Sequence, residues 1–129
     1  MSIATRLEEA SPQALLEALE RLARARVEPA PGADVAALDA EARALVNERH
    51  PADIAYVLEG LPLEDRLWLW GLIRSDREGE ILLEASDVVR DTLLQDMDSA
   101  EIVAATQSLD ADEIADLAPD LPRQVVQDI

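Results

Sequence analysis

Three helix-opening residues, Pro51, Ser75 and Ser99, stand 24 residues apart, and a second trio, Pro62, Ser86 and Asp110, keeps the same interval. The apolar residues between them fall into columns with the same spacing: Val57, Ile81 and Ala105; Leu61, Ala85 and Leu109; Leu69, Leu93 and Leu117; Ile73, Met97 and Leu121. A fixed period of this size marks a stack of helical hairpins, each too small to bury its apolar face alone. The fold class predicted is all-α, a superhelical stack of short helical hairpins (an armadillo-like right-handed solenoid). Such a stack offers a surface to partners rather than a cleft for chemistry.

The remaining pattern agrees. Ser11-Pro12 starts a helix, with Ser able to cap free N–H groups and Pro suited to the first helical position. Leu15, Leu16, Leu19, Leu22 and Ala23 follow with helical spacing, and the segment should end near Arg26. Glu28-Pro29-Ala30-Pro31-Gly32 reads as a loop. Residues 34–48 resume a helical pattern through Val35, Leu38, Ala42, Leu45 and Val46. Ser75 with Glu78, and Asp110 with Glu113, have the spacing of capping boxes. No segment shows strand alternation, so the expectation is eight or nine helices in one domain, residues 1–47 forming N-terminal helices and 48–129 the repeat region. Residues 125–129 read as the middle of an amphipathic helix with no cap or breaker, which predicts that the natural polypeptide continues.

Charge narrows the function classes. The net charge is −17, and residues 51–129 hold 19 acids against 5 Arg, whereas residues 1–50 hold 9 acids against 6 Arg. A surface of that sign repels nucleic acid and anionic lipid and attracts cations or a basic protein face. With no cysteine, disulfides, thiolate metal sites and Cys nucleophiles are excluded. The longest apolar run, residues 67–73, is far too short to span a bilayer, and residues 1–10 lack the apolar stretch of a secretory signal. Only 2% of residues are aromatic and none is Phe, so Leu, Ile, Val and Ala must build the core.

Several residues could carry chemistry. Asp112 and Asp116 are spaced i, i+4, which places two carboxylates on one helical face where they repel unless a cation sits nearby. A solvated acidic face is the bland alternative. Glu80 and Glu84 form a similar pair, as do Asp87 and Asp91. His50 is the only histidine and lacks the companions that a metal centre or catalytic triad needs, so a helix-start role is expected. Trp68 and Trp70 cannot share a helical face; one is expected in the core and the other near the surface. No phosphate-binding glycine loop or nucleophile–base pair is present, and the chain is not expected to be an enzyme.

The stretch from His50 to Pro62, HPADIAYVLEGLP, resembles the HPADLAELLEELP-like opening of the cytosolic N domain of MgtE magnesium transporters. Glu64-Asp65-Arg66-Leu67 resembles the next helix of that domain, and residues 109–117, LDADEIADL, resemble its late acidic LDPDDAADLL-like element. Leu121-Pro122-Arg123-Gln124-Val125 resembles the helix start that follows. The likeness runs in order over about residues 48–129.

This resemblance implies a superhelical stack of short helices on the cytoplasmic side of the inner (plasma) membrane. Paired CBS domains and a transmembrane domain follow it in the full-length protein, usually a homodimer. It further implies Mg2+ bound between the N and CBS domains, so that sufficient internal magnesium closes the pore. Asp112 and Asp116 match acidic positions of the late element, and Glu80 matches an acidic position on the third helix, so these three are the implied metal ligands. In the isolated domain such a site is half built, and binding on the order of millimolar is expected, because few protein ligands replace the ion's water. A second resemblance, to the flagellar rotor switch protein FliG, rests on His50-Pro51 followed by Ile54-Ala55, with Ala52 where that family has Gln. It implies a structural adaptor with no metal role.

Overall fold

The computed structural model describes residues 11–128. Among them are nine α-helices and one 3-10 turn. The helices are α1 (Pro12–Val27), α2 (Val35–Val46), α3 (Pro51–Gly60), α4 (Leu63–Trp70), α5 (Ser75–Glu84), α6 (Asp87–Gln95), α7 (Ser99–Thr106), α8 (Ala111–Leu117) and α9 (Arg123–Asp128); the 3-10 turn, Ala118–Asp120, follows α8. No strand occurs among the described residues.

Helix starts follow the 24-residue register closely. His50, Arg74 and Asp98 are the N-caps of α3, α5 and α7, and Pro62, Ser86 and Asp110 those of α4, α6 and α8. Asp98 with Glu101, and Asp110 with Glu113, form complete capping boxes. The box expected at Ser75 and Glu78 does not form. Ser75 is already helical, Arg74 occupies the cap position without a side-chain cap bond, and Glu78 is drawn into a helix interface instead. At α7 the expected opener Ser99 is likewise the first helical residue, and Asp98 supplies the cap. Gly32, at φ 80°, makes the tight turn between α1 and α2, a left-handed conformation that a side chain would strain.

Alternate helices form the main packing row: α1 on α3, α3 on α5, α5 on α7 and α7 on α9. Outside it, α2 packs on α1, α4 on α3, α6 on both α4 and α5, and α8 on α5. The four sequence columns all lie inside. Val57, Ile81, Ala105, Leu69, Leu93 and Leu117 are fully buried, and Leu61, Ala85, Leu109, Ile73, Met97 and Leu121 nearly so. Each buried Leu, Ile or Val contributes about 1.5–3 kcal/mol. Helices of 7–10 residues do not persist alone in water, so these columns are what keeps them helical.

The N-terminal helices are tied to the repeats by polar contacts. Tyr56 donates to Gln13 Oε1 at 2.6 Å, joining α3 to α1. Asn47 donates to the Leu72 carbonyl at 3.2 Å and accepts from the Arg74 amide at 3.1 Å, pinning the end of α2 to the α4–α5 turn. Trp70 is buried in the core, whereas Trp68 is half-buried and donates to Asp39 at 3.0 Å beneath the Arg26 guanidinium. No helix among the described residues is long and apolar enough to cross a membrane.

Candidate metal-binding face

Two arginines give the outer helices their electrostatic character. Arg66 on α4 turns inward and donates to the carbonyls of Leu58 (2.8 Å) and Leu61 (3.2 Å) and to Thr92 Oγ1 (3.1 Å). Arg90, one period later on α6, donates to the carbonyls of Leu82 (2.8 Å), Leu83 (3.2 Å) and Ala85 (3.3 Å). Its remaining nitrogen pairs with Asp120 at 2.8 Å. Both thereby satisfy carbonyls left open at the ends of α3 and α5, where the helix dipole favours a cation. No other basic residue lies on α4, α6 or α8. Glu64, Asp87, Asp91, Asp112 and Asp116 on these helices are all exposed. The outer surface is therefore acidic because its cations face inward.

Asp112 and Asp116 stand one turn apart on α8, at the solvent surface. The Asp110–Glu113 capping box fixes the start of this short helix: the Glu113 amide donates to Asp110 at 2.8 Å, and the Asp110 amide to Glu113 at 3.1 Å. Glu113 is thus a capping residue, which leaves Asp112 and Asp116 as the free acids of the helix.

Glu80 lies elsewhere. It is exposed on α5 and lines a shallow cleft of about 220 Å3 with His50, Pro51, Leu83, Glu84 and Glu113. The fold thus places Glu80 beside Glu84 and Glu113 rather than in one ligand set with Asp112 and Asp116. Among the described residues no three His, Cys, Asp or Glu side chains come together in a way that could hold a metal ion. The donor chemistry still suits Mg2+. These are hard carboxylate oxygens, open to water, and that ion retains most of its hydration shell and needs only one or two carboxylates. His50 stands at this cleft as a helix start: its Nδ1 accepts from the Ala52 amide at 3.0 Å.

Glu78 is a further acid of interest, and the sequence reading treated it only as a cap. It is 9% exposed, and burial pushes its carboxyl from 4.5 up to about 7, with the negative charge of Glu101 adding to the rise. The 24-residue register held the signal. Glu78 falls between Ile54 and Ile102 in a column whose other two members are fully buried isoleucines. The same register aligns Arg66 with Arg90 and would have marked them as a repeated structural device.

A family model described as the MgtE intracellular N domain matches residues 49–129. No curated protein and no solved structure matches the chain at a significant level.

Proposed function

This chain belongs to the MgtE intracellular N domain family, and on that premise we propose that it senses intracellular Mg2+ for a magnesium transporter and helps gate the pore. Asp112 and Asp116, with Glu80 as a separate contact, would hold hydrated Mg2+ against an acidic face of the CBS domains of the same polypeptide. The carrying observation is the exposed pair on α8, next to an outer surface whose only arginines are turned inward. Two acidic faces repel at low magnesium and separate. Charge neutralisation by the ion at high magnesium lets them dock, and the compact arrangement closes the transmembrane domain. The working unit is the full-length homodimer at the cytoplasmic face of the membrane, and the domain performs no catalysis.

Because the partner face supplies the rest of each site, the isolated chain should bind Mg2+ weakly, on the order of millimolar. Titration with MgCl2 followed by amide NMR tests this. Selective, saturable shifts are expected at Asp112, Asp116 and Glu80, reduced in the Asp112→Asn/Asp116→Asn double variant. Uniform small shifts spread over all exposed acids would refute the assignment.

A further inference from the structure

The main packing partner of α2 is α1. Away from that contact, α2 borders an open cleft of about 740 Å3, lined by Ala40, Arg43, Ala44, Asn47, Glu48 and Arg74. The two alanines and the aliphatic stems of the two arginines supply apolar surface, and the guanidinium groups supply positive charge. Arg43 is exposed, and its side chain has no hydrogen-bond or ion-pair partner among the described residues. Arg74 pairs with Asp76 at 3.3 Å, with both side chains largely in water. The acid in the lining is Glu48. Two solvent-facing cations thus stand at one cleft of a chain whose net charge is −17.

A complementary feature lies on α6. The 24-residue register puts Glu64, Val88 and Asp112 at one position of the outer helices α4, α6 and α8. Two of these are acids, as suits a solvent-facing position. The third, Val88, is 74% exposed, the most exposed large apolar side chain among the described residues. Asp87 and Asp91 stand beside it on the same helix, both exposed. Asp87 lies 3.9 Å from Arg90, which is engaged with the α5 carbonyls and Asp120. Asp91 accepts from Gln95 at 2.9 Å. An exposed valine flanked by two carboxylates is the converse of an apolar cleft flanked by two guanidinium groups.

We propose that the α2 cleft receives α6 of a second copy of this chain, with Val88 on the alanine surface and Asp87 and Asp91 paired with Arg43 and Arg74. The apolar anchor supplies the energy of such a contact, and the charges set its register. Two different patches meet, so the contact is head-to-tail and leaves each pair of copies with one free cleft and one free Val88. One helix in one open cleft makes a small interface, which sets Kd on the order of 100 μM. This inference goes beyond the magnesium reading and uses none of Asp112, Asp116 or Glu80.

Sedimentation equilibrium with EDTA present tests it, in about 0.15 M NaCl, where a Debye length of about 8 Å screens the repulsion between two acidic copies. The average mass of the native chain should rise with concentration between about 10 μM and about 1 mM. Val88→Asp alone, and the Arg43→Glu/Arg74→Glu double variant alone, should stay monomeric over that range. Far-UV circular dichroism checks that both remain folded. Mixed in equal amounts, the two variants still offer one intact cleft and one intact Val88, so they should form a dimer that grows no further. A native chain that stays monomeric throughout would overturn the proposal, as would association that persists in either variant. Variants that fail to combine when mixed would mean a self-complementary contact and would also overturn it. So would α2 amide shifts caused by a glutamate-rich helical peptide without self-association of the chain, since the cleft would then belong to another acidic partner. Because no magnesium is present, failure here leaves the metal reading standing, and failure of the MgCl2 titration leaves this one standing.

Discussion

Arg90 offers a sharp test of how the repeats hold together. Its guanidinium donates to three carbonyls at the end of α5, and the side chain is only 13% exposed. A hydrogen bond from a charged donor contributes about 1.5–3 kcal/mol. The three bonds do not add fully, because carbonyls at a helix end regain water once the side chain is shortened. Arg90→Met keeps most of the aliphatic stem and removes the donors, and we expect a loss of about 3 kcal/mol. For a chain of this size that lowers Tm by about 10 °C. Arg74→Met is the control, since it changes net charge identically. Arg74 is 62% exposed and pairs with Asp76, itself 68% exposed, so its loss should cost less than about 0.5 kcal/mol. Urea denaturation followed by tryptophan fluorescence measures both. Similar destabilisation of the two variants would mean that global charge, not carbonyl capping, governs the effect, and the reasoning would be wrong.

Other outcomes follow from single positions. Gly79→Ala gains about 1 kcal/mol of helix propensity but drives a methyl group into the Ala105 carbonyl, so a net loss of about 2 kcal/mol is expected by thermal melting. Gly71→Ala, whose new methyl would meet only ordinary contact at 3.5 Å from the Trp68 carbonyl oxygen, should change stability by less than about 0.5 kcal/mol. Glu78 has a folded-state value raised to about 7 from 4.5. Its stabilising contribution is therefore fully present below about pH 4.5 and is lost as pH rises through 7. Glu78→Gln should be the more stable protein at pH 8, by an amount that solvent screening of the carboxylate keeps modest, and should lose the advantage toward pH 5, as read from denaturant midpoints.

The helical architecture was legible because it is a periodic property of single residues. Val57, Ile81 and Ala105 share a column in the sequence and are all fully buried in the fold. His50 was legible as a helix start because proline follows it, and its ring does accept the Ala52 amide. The cap at Ser75 was misread because local spacing treats Ser and Glu three apart as partners. Packing of α5 against α7 draws Glu78 inward and leaves Arg74 at the cap position. Glu80 came from the family likeness as a candidate apart from the Asp112 and Asp116 pair, and the fold places it at a cleft with Glu84 and Glu113.

The sequence by itself determined the helices, their 24-residue stacking register, the strong acidity of the repeat region and the family, because each is carried by residue type and interval along the chain. Only the tertiary structure decided that Arg66 and Arg90 face inward onto carbonyls, that Glu78 is buried against α7, and that the three acids divide between two places. The physical reason is that a charge takes its character from what surrounds it. Helix packing brings those surroundings together from residues that the linear order keeps far apart.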